Sequence, residues 1–323
     1  MTAATARLAL ACLAAVCVGP ATAQTFPDKN VKLIVSFAPG GPTDVGARII
    51  GAALQEKWGK PVIIENRGGA GGNIGTVAVA RAEPDGYTIL VTTSAFSINL
   101  TYNANPGYVA KELRPAALVA TTPNIIVGSP ELKANTLKEA LDLARKEKFA
   151  YGSAGAGTSP HLSAERVFNL IGKADVRHVP FTGAAPAMNA VSAGHVQFGV
   201  VAMTPAIELV KAGNLKGYAV TSAKRSSELP DVPTVTETGV GAIDDATWVA
   251  MFVPEKTPQA IVAKINADVN ELLKQPAIVQ QISRAGLDPL GGSLPEIEAY
   301  VANETTKWAE VINATGARAE ASK

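Results

Sequence analysis

Short apolar runs alternate with amphipathic stretches along most of this chain. Residues 31–37, Val-Lys-Leu-Ile-Val-Ser-Phe, read as a strand, and Val45, Ile49, Ile50, Ala53 and Leu54 then recur at helical spacing. Between them lies Pro39-Gly40-Gly41-Pro42-Thr43-Asp44, where Thr43 or Asp44 can cap the helix. A second strand at 61–65 leads into the glycine-rich run 68–75, then a short helix and a strand at 87–92. This alternation predicts βαβ units and a mostly parallel sheet.

The same order returns further along. Thr136 and Glu139 form a capping box, and Leu137, Ala140, Leu141 and Ala144 follow at helical spacing. A strand at 149–153 comes next, then the loop 152–159 and a helix with Pro160 at its first position. Strands at 176–179, 195–201 and 215–221 alternate with helices near 186–193 and 205–212, which makes a second α/β unit. Two apolar, strand-like segments, 116–127 and 247–254, bracket that unit and can carry the chain between the two. Residues 24–122 plus 247–323 are therefore expected as one domain and 123–246 as the other. The tail returns to helix at 258–275 and 295–314, with Trp308 expected to pack inward. The cleft of such a clamp is the natural ligand site.

Composition narrows the function. The chain has 323 residues, 47% hydrophobic and 18% charged, with 29 basic and 28 acidic side chains. It is too apolar for a disordered chain and lacks the basic excess of a nucleic-acid binder. Residues 1–23 read as a secretory signal peptide: Arg7 is their only charge, 8–18 is an apolar run too short to span a bilayer, and Ala21-Thr22-Ala23 is a cleavage site. Cleavage after Ala23 leaves 28 basic against 28 acidic side chains and removes Cys12 and Cys17, the two cysteines of the chain. A lipid anchor at either cysteine is the alternative, although Ala9 stands where a lipobox before Cys12 would carry Leu. Without cysteines there is no disulfide framework, thiol catalysis or thiolate metal site.

Two glycine-rich loops, 39–44 and 152–159, each follow a strand and open a helix. A helix N-terminus offers unpaired N–H donors and partial positive charge, so it holds anions without a cationic side chain. Glycines let the backbone approach the ligand, and Thr158 and Ser159 add hydroxyls. Facing each other, the loops would clamp one carboxylate; the alternative is a pair of ordinary βα turns. Nucleotide signatures are missing: Gly69-Ala70-Gly71-Gly72-Asn73 is followed by Ile74, and no G-x-x-x-x-G-K-[ST] occurs. Gly157-Thr158-Ser159-Pro160-His161 lacks the closing glycine of a nucleophile elbow, which counts against the rival from another class, a hydrolase using Ser159 and His161. His161 and Glu165, at i and i+4, could share a metal or simply a hydrogen bond, and no further ligands are visible. No cofactor, metal or catalytic residue is expected.

The two loops also carry a resemblance. Phe37-Ala38-Pro39-Gly40-Gly41-Pro42-Thr43-Asp44, the stretch from Val62 through Glu65-Asn66-Arg67 to Gly75, Pro84-Asp85-Gly86-Tyr87-Thr88, Tyr151-Gly152-Ser153-Ala154-Gly155, Gly157-Thr158-Ser159, Val179-Pro180-Phe181 and Leu229-Pro230-Asp231-Val232-Pro233-Thr234 stand in one order over nearly the whole chain. Together they resemble the Bug-type periplasmic receptors, solute-binding proteins of the tripartite tricarboxylate transporter group. The resemblance implies an α/β, two-domain periplasmic-binding-protein fold, Venus-flytrap and type II-like, with two crossover strands. It implies a periplasmic protein that captures a small organic carboxylate for membrane transporter subunits, acts as a monomer and binds no nucleic acid. A receptor that signals rather than transports is the alternative.

Carried onto this sequence, the implied ligand contacts are Phe37, Ala38, Pro39, Gly40, Gly41, Pro42, Thr43 and Asp44 in the first loop. Ser94 follows, with Ser153, Ala154, Gly155, Thr158 and Ser159 in the second loop. A third loop contributes Thr182, Gly183 and Ala185, where Ala184 replaces a second glycine common in the family. Val201 and Ala202 stand where many members carry Asp-Asn. An aspartate there could accept from a ligand ammonium group; Val and Ala cannot. An acid with an apolar or aromatic body is therefore expected, such as the diacids terephthalate or adipate, unless Val201 merely packs in the core.

Overall fold

The computed structural model describes residues 26–319; the signal-peptide reading, with cleavage after Ala23 and both cysteines, falls outside them. The first half of the fold begins with β1 (Val31–Val35), α1 (Pro42–Trp58), β2 (Val62–Asn66), α2 (Asn73–Ala80), β3 (Thr88–Thr93) and α3 (Ala95–Tyr102). β1 lies between β2 and β3, parallel to both. The long β4 (Leu113–Gly128) then leaves this half for the other. There follow α4 (Leu137–Ala144), β5 (Phe149–Ser153), α5 (Ser159–Ala164), β6 (Val176–Pro180), α6 (Ala184–Ser192), β7 (Phe198–Ala202), α7 (Ile207–Lys211) and β8 (Lys216–Val220). The chain returns along β9 (Ala246–Pro254) and ends with α8 (Gln259–Leu272), α9 (Pro276–Arg284), the short β10 (Asp288–Pro289) and α10 (Leu294–Thr315).

This is the two-domain periplasmic-binding-protein architecture, and β4 is its axis. Residues up to Pro123 pair antiparallel with β9, whereas Asn124 to Gly128 pair antiparallel with β7. β5 runs parallel to β6 and β7, and β8 pairs with β4. Each half buries its own core. Leu33, Ile50, Leu54, Val249 and Ile265 belong to one, and Tyr151, Phe168, Phe198 and Tyr218 to the other. Trp308 is fully buried on α10 against Ile98 and Leu162, as the sequence leads one to expect.

Several boundaries differ from the sequence pattern for identifiable reasons. α3 is absent from it because Ala95, Phe96, Ser97, Ile98, Asn99 and Tyr102 are buried around the whole circumference, so no polar stripe betrays a helix. α1 is capped by Gly41 rather than by the Thr43 or Asp44 side chain. Pro160 is the second residue of α5, not the first, and α5 continues as a π-helical stretch over Glu165–Ile171. β7 starts at Phe198, three residues late, because Gly194 and His195 close the preceding helix by bonding to Val191 and Ala190.

Candidate functional site

Four helices begin around one point between the halves. α1 starts at Gly41 and Pro42 after β1, α3 at Ser94 after β3, α5 at Thr158 after β5, and α6 at Gly183 after β6. All four stand at the carboxyl ends of parallel strands, where α/β sheets place their ligands. The small cavity among them is lined by Phe37, Gly41, Pro42, Thr43, Thr93, Ala154, Thr158, Pro160, Ala184, Ala202 and Thr247. None of these carries a charge. The N–H groups of Gly41, Thr43, Ser159 and Ala184 have no acceptor among the described residues, as expected for first-turn donors. Several partial positive charges therefore converge on a cavity without a cation, an arrangement that favours an anion.

The loops that carry these donors are fixed from behind. Asp44 is buried and accepts from the Gly40 N–H (3.0 Å), from Arg48 Nε (3.0 Å) and from Asn66 Nδ2 (3.0 Å). Burial alone would raise its pKa, but hydrogen bonds from Arg48, Gly40 and Asn66 outweigh it and hold the carboxyl below its usual value. Arg48 so neutralises the one acidic group of the loop. In the second loop Thr158 Oγ1 donates to the Gly155 carbonyl (2.7 Å), and Ser153 Oγ pairs with His178 Nε2 (2.7 Å). His161 stacks on His178 with centroids 4.2 Å apart and accepts weakly from the Gly157 N–H through Nδ1 (3.4 Å). Burial lowers the His161 pKa to about 3, with His178 adding to the effect, and burial lowers that of His178 to about 4. Both imidazoles are neutral props of the loop at neutral pH.

A chain of hydroxyls and amides joins the cavity to the two crossings. Ser94 Oγ donates to Ser159 Oγ (3.0 Å), which meets Thr247 Oγ1 at 2.7 Å. Thr247 Oγ1 donates to Asn124 Oδ1 (2.7 Å), and Asn124 Nδ2 to Ser163 Oγ (3.1 Å). Ser163 in turn donates to Asp245, whose carboxylate takes both oxygens to Arg166 at 2.8 and 2.7 Å. Asn124, Asp245 and Thr247 sit where β4 leaves one half and β9 re-enters it. The floor of the cavity is thus tied to both strands that cross between the halves.

The structure gathers most of the expected contacts and reassigns a few. Phe37, Gly41, Pro42, Thr43, Ala154, Thr158 and Ala202 line the cavity. Ala38 donates its N–H across the cleft to the Thr182 carbonyl (3.1 Å), Gly183 packs on Ala38, and Ala185 lies beside Gly40. Pro39 is exposed at the loop tip. Ser153, Gly155 and Asp44 turn their polar groups to one another or to neighbouring side chains and hold the loops. Val201 does not face the cavity: it pairs with Ile125 and packs among Val127, Met188 and Val220, so the expected contact at this position falls to Ala202 alone. Alternation along β7 enforces this, since neighbouring side chains point to opposite faces. Ala184, placed by the sequence reading in the third loop only as a replacement for glycine, also lines the cavity. Thr93, Pro160 and Thr247 escaped the sequence reading; Thr93 alone had a signal, as the last residue of a parallel strand. Ser159 Oγ is engaged by Ser94 and Thr247 rather than by His161. His161 Nε2 lies 4.0 Å from Glu165, and the described residues contain no group of three or more His, Cys, Asp and Glu that could hold a metal ion.

Known proteins resemble this chain over most of its length. The sequence profile of the tripartite tricarboxylate transporter family receptor matches residues 46–317. Protein BugT of Bordetella pertussis is 33% identical over 93% of this chain and 93% of its own. The solved periplasmic binding protein BugD superposes with a TM-score of 0.87 at 32% identity, covering 91% of this chain and 99% of that one. An R. palustris protein solved with adipate gives a TM-score of 0.87 at 31% identity, covering 90% of this chain and 98% of that one.

Proposed function

Since the chain belongs to the tripartite tricarboxylate transporter family of receptors, of the Bug type, we propose that it captures a small organic carboxylate between its two lobes and presents it to transporter subunits of that type in the membrane. The observation that carries this reading is the convergence of helix N-termini on a cavity lined by no charged side chain. One ligand carboxylate takes the free N–H groups of Gly41, Thr43, Ser159 and Ala184, with the Thr43 hydroxyl beside them. No step of covalent chemistry follows from such a site, and the protein acts as a solute receptor rather than an enzyme.

The ligand's own chemistry follows from what the lining lacks. An α-ammonium group needs a carboxylate partner, yet Asp44 is consumed by Arg48 and Asn66, and Ala202 offers only a methyl group. Amino acids are therefore disfavoured, and an acid with an apolar body is preferred, with adipate or terephthalate as the first candidates. The R. palustris relative solved with adipate supports the same class. The space left between these residues is only about 20 Å3, room for about one water molecule, so the lobes move apart to hold such a ligand. Residues 26–319 contain no helix long and apolar enough to cross a membrane. With residues 1–23 read as a leader cleaved after Ala23, the place of action is the periplasm, as a single chain.

Calorimetry against adipate, terephthalate, aspartate and glutamate tests the reading. Binding of a diacid with no heat from the amino acids is the expected outcome. Tight binding of aspartate or glutamate would overturn the exclusion of ammonium groups.

A further inference from the structure

The glycine-rich run 68–75 lies apart from the donors proposed for the carboxylate, yet its backbone packs directly against the opposite lobe at Gly155 and Ala156. A Cβ on Gly71 would overlap the Ala156 carbonyl oxygen, and one on Gly155 would lie 3.2 Å from the Gly71 Cα. Gly71, Gly155 and Gly157 all have positive φ, at 62°, 135° and 74°, so backbone conformation and lack of space both call for glycine there. Behind this contact stands Asn99 on α3, 1% exposed. Its Nδ2 donates to the Ala95 carbonyl of its own helix (2.9 Å) and to the Gly157 carbonyl of the opposite lobe (3.0 Å), with the Gly71 carbonyl at 3.4 Å. Asn73 Nδ2 approaches Asn99 Oδ1 at 3.4 Å. One buried amide therefore touches the glycine run on its own side and the tip of the anion-binding loop on the other.

We propose that Asn99 and the backbone of Gly71 form a latch that favours the closed arrangement of the lobes without help from the ligand. In the open state the Gly157 carbonyl turns to water and Asn99 loses its partner across the cleft. The bond that re-forms on closure adds to whatever the ligand contributes. A receptor whose binding-competent state is partly populated beforehand binds more tightly in proportion to that population. Losing a single buried hydrogen bond of ordinary strength shifts such an equilibrium about tenfold. The inference rests on the two-lobe closure of the site and not on which acid fills it.

Asn99→Ala and Gly71→Ala test the latch from its two sides. Small-angle scattering of the ligand-free proteins is expected to give a larger radius of gyration for both variants than for the parent. Saturating adipate is expected to bring both variants to the radius of gyration of the adipate-bound parent, with affinity about tenfold weaker. An unchanged radius of gyration in both variants overturns the latch, and so does loss of folding in both, seen by circular dichroism, because it would assign these residues to the core. Failure of adipate to bind any of the proteins bears on the proposed ligand alone, since the scattering comparison needs none.

Discussion

Replacing His161 by Phe removes a proton acceptor from behind the second loop and should flatten the acid sensitivity of the fold. His161 is 5% exposed, stacked on His178 and edge-on to Tyr102. Burial and the neighbouring imidazole lower its pKa to about 3, while His178 sits at about 4. Both groups are depressed below the value of about 6.5 that they take in the unfolded chain. Above pH 6.5 neither state binds the proton and the pair makes no pH-dependent difference. Below it the unfolded chain takes up protons that the native one refuses, so stability falls as the pH drops from 6.5 toward 4 and 3. Between pH 7 and pH 5 this costs about 2 kcal/mol for each histidine, about 4 kcal/mol for the pair. Urea unfolding followed by tryptophan fluorescence at the two pH values measures it. The variant is expected to lose about 2 kcal/mol less than the parent over that interval, whatever its stability at pH 7. Equal losses in the two proteins would refute the buried, neutral state of His161.

Two further substitutions probe the hinge and the cavity. Arg166→Met leaves Asp245, 1% exposed, without its bidentate partner and should cost about 3 to 5 kcal/mol of stability, read as a lower urea midpoint. Ala202→Asp places a carboxylate on the cavity wall. At about 5 Å from a bound carboxylate and an effective dielectric constant of about 20, the repulsion is about 3 kcal/mol. Adipate affinity should fall by at least a hundredfold in calorimetry, while glutamate, whose ammonium now finds a partner, should gain.

Much of the architecture was legible because its rules are local. The βα loops at 39–44 and 152–159 announce themselves by glycines between an apolar run and a helical period, and both reach the cavity. The crossings at 116–127 and 247–254 were visible as apolar segments that bracket a second α/β unit. Other features depend on contacts distant in sequence. α3 is buried on every side, so its residues show no amphipathic stripe, and with it Asn99 stayed hidden. Val201 and Ala202 are adjacent in sequence but lie on opposite faces of β7, and the register that decides which one lines the cavity comes from pairing with β4. The hinge network of Asn124, Ser163, Asp245 and Thr247 joins positions up to 123 residues apart. The glycine run 68–75 was conspicuous, but its role depends on the opposite lobe, because what it excludes is a side chain at the interface.

The central claim is that fixed backbone donors at helix starts, and no basic side chain, hold the ligand's carboxylate. Its most direct test is a 15N-resolved NMR titration of the protein with adipate. The expected result is large shifts of the Gly41, Thr43, Ser159 and Ala184 amides, with lysine and arginine side chains unmoved. Binding that leaves those amides in place and shifts Arg or Lys signals would contradict it.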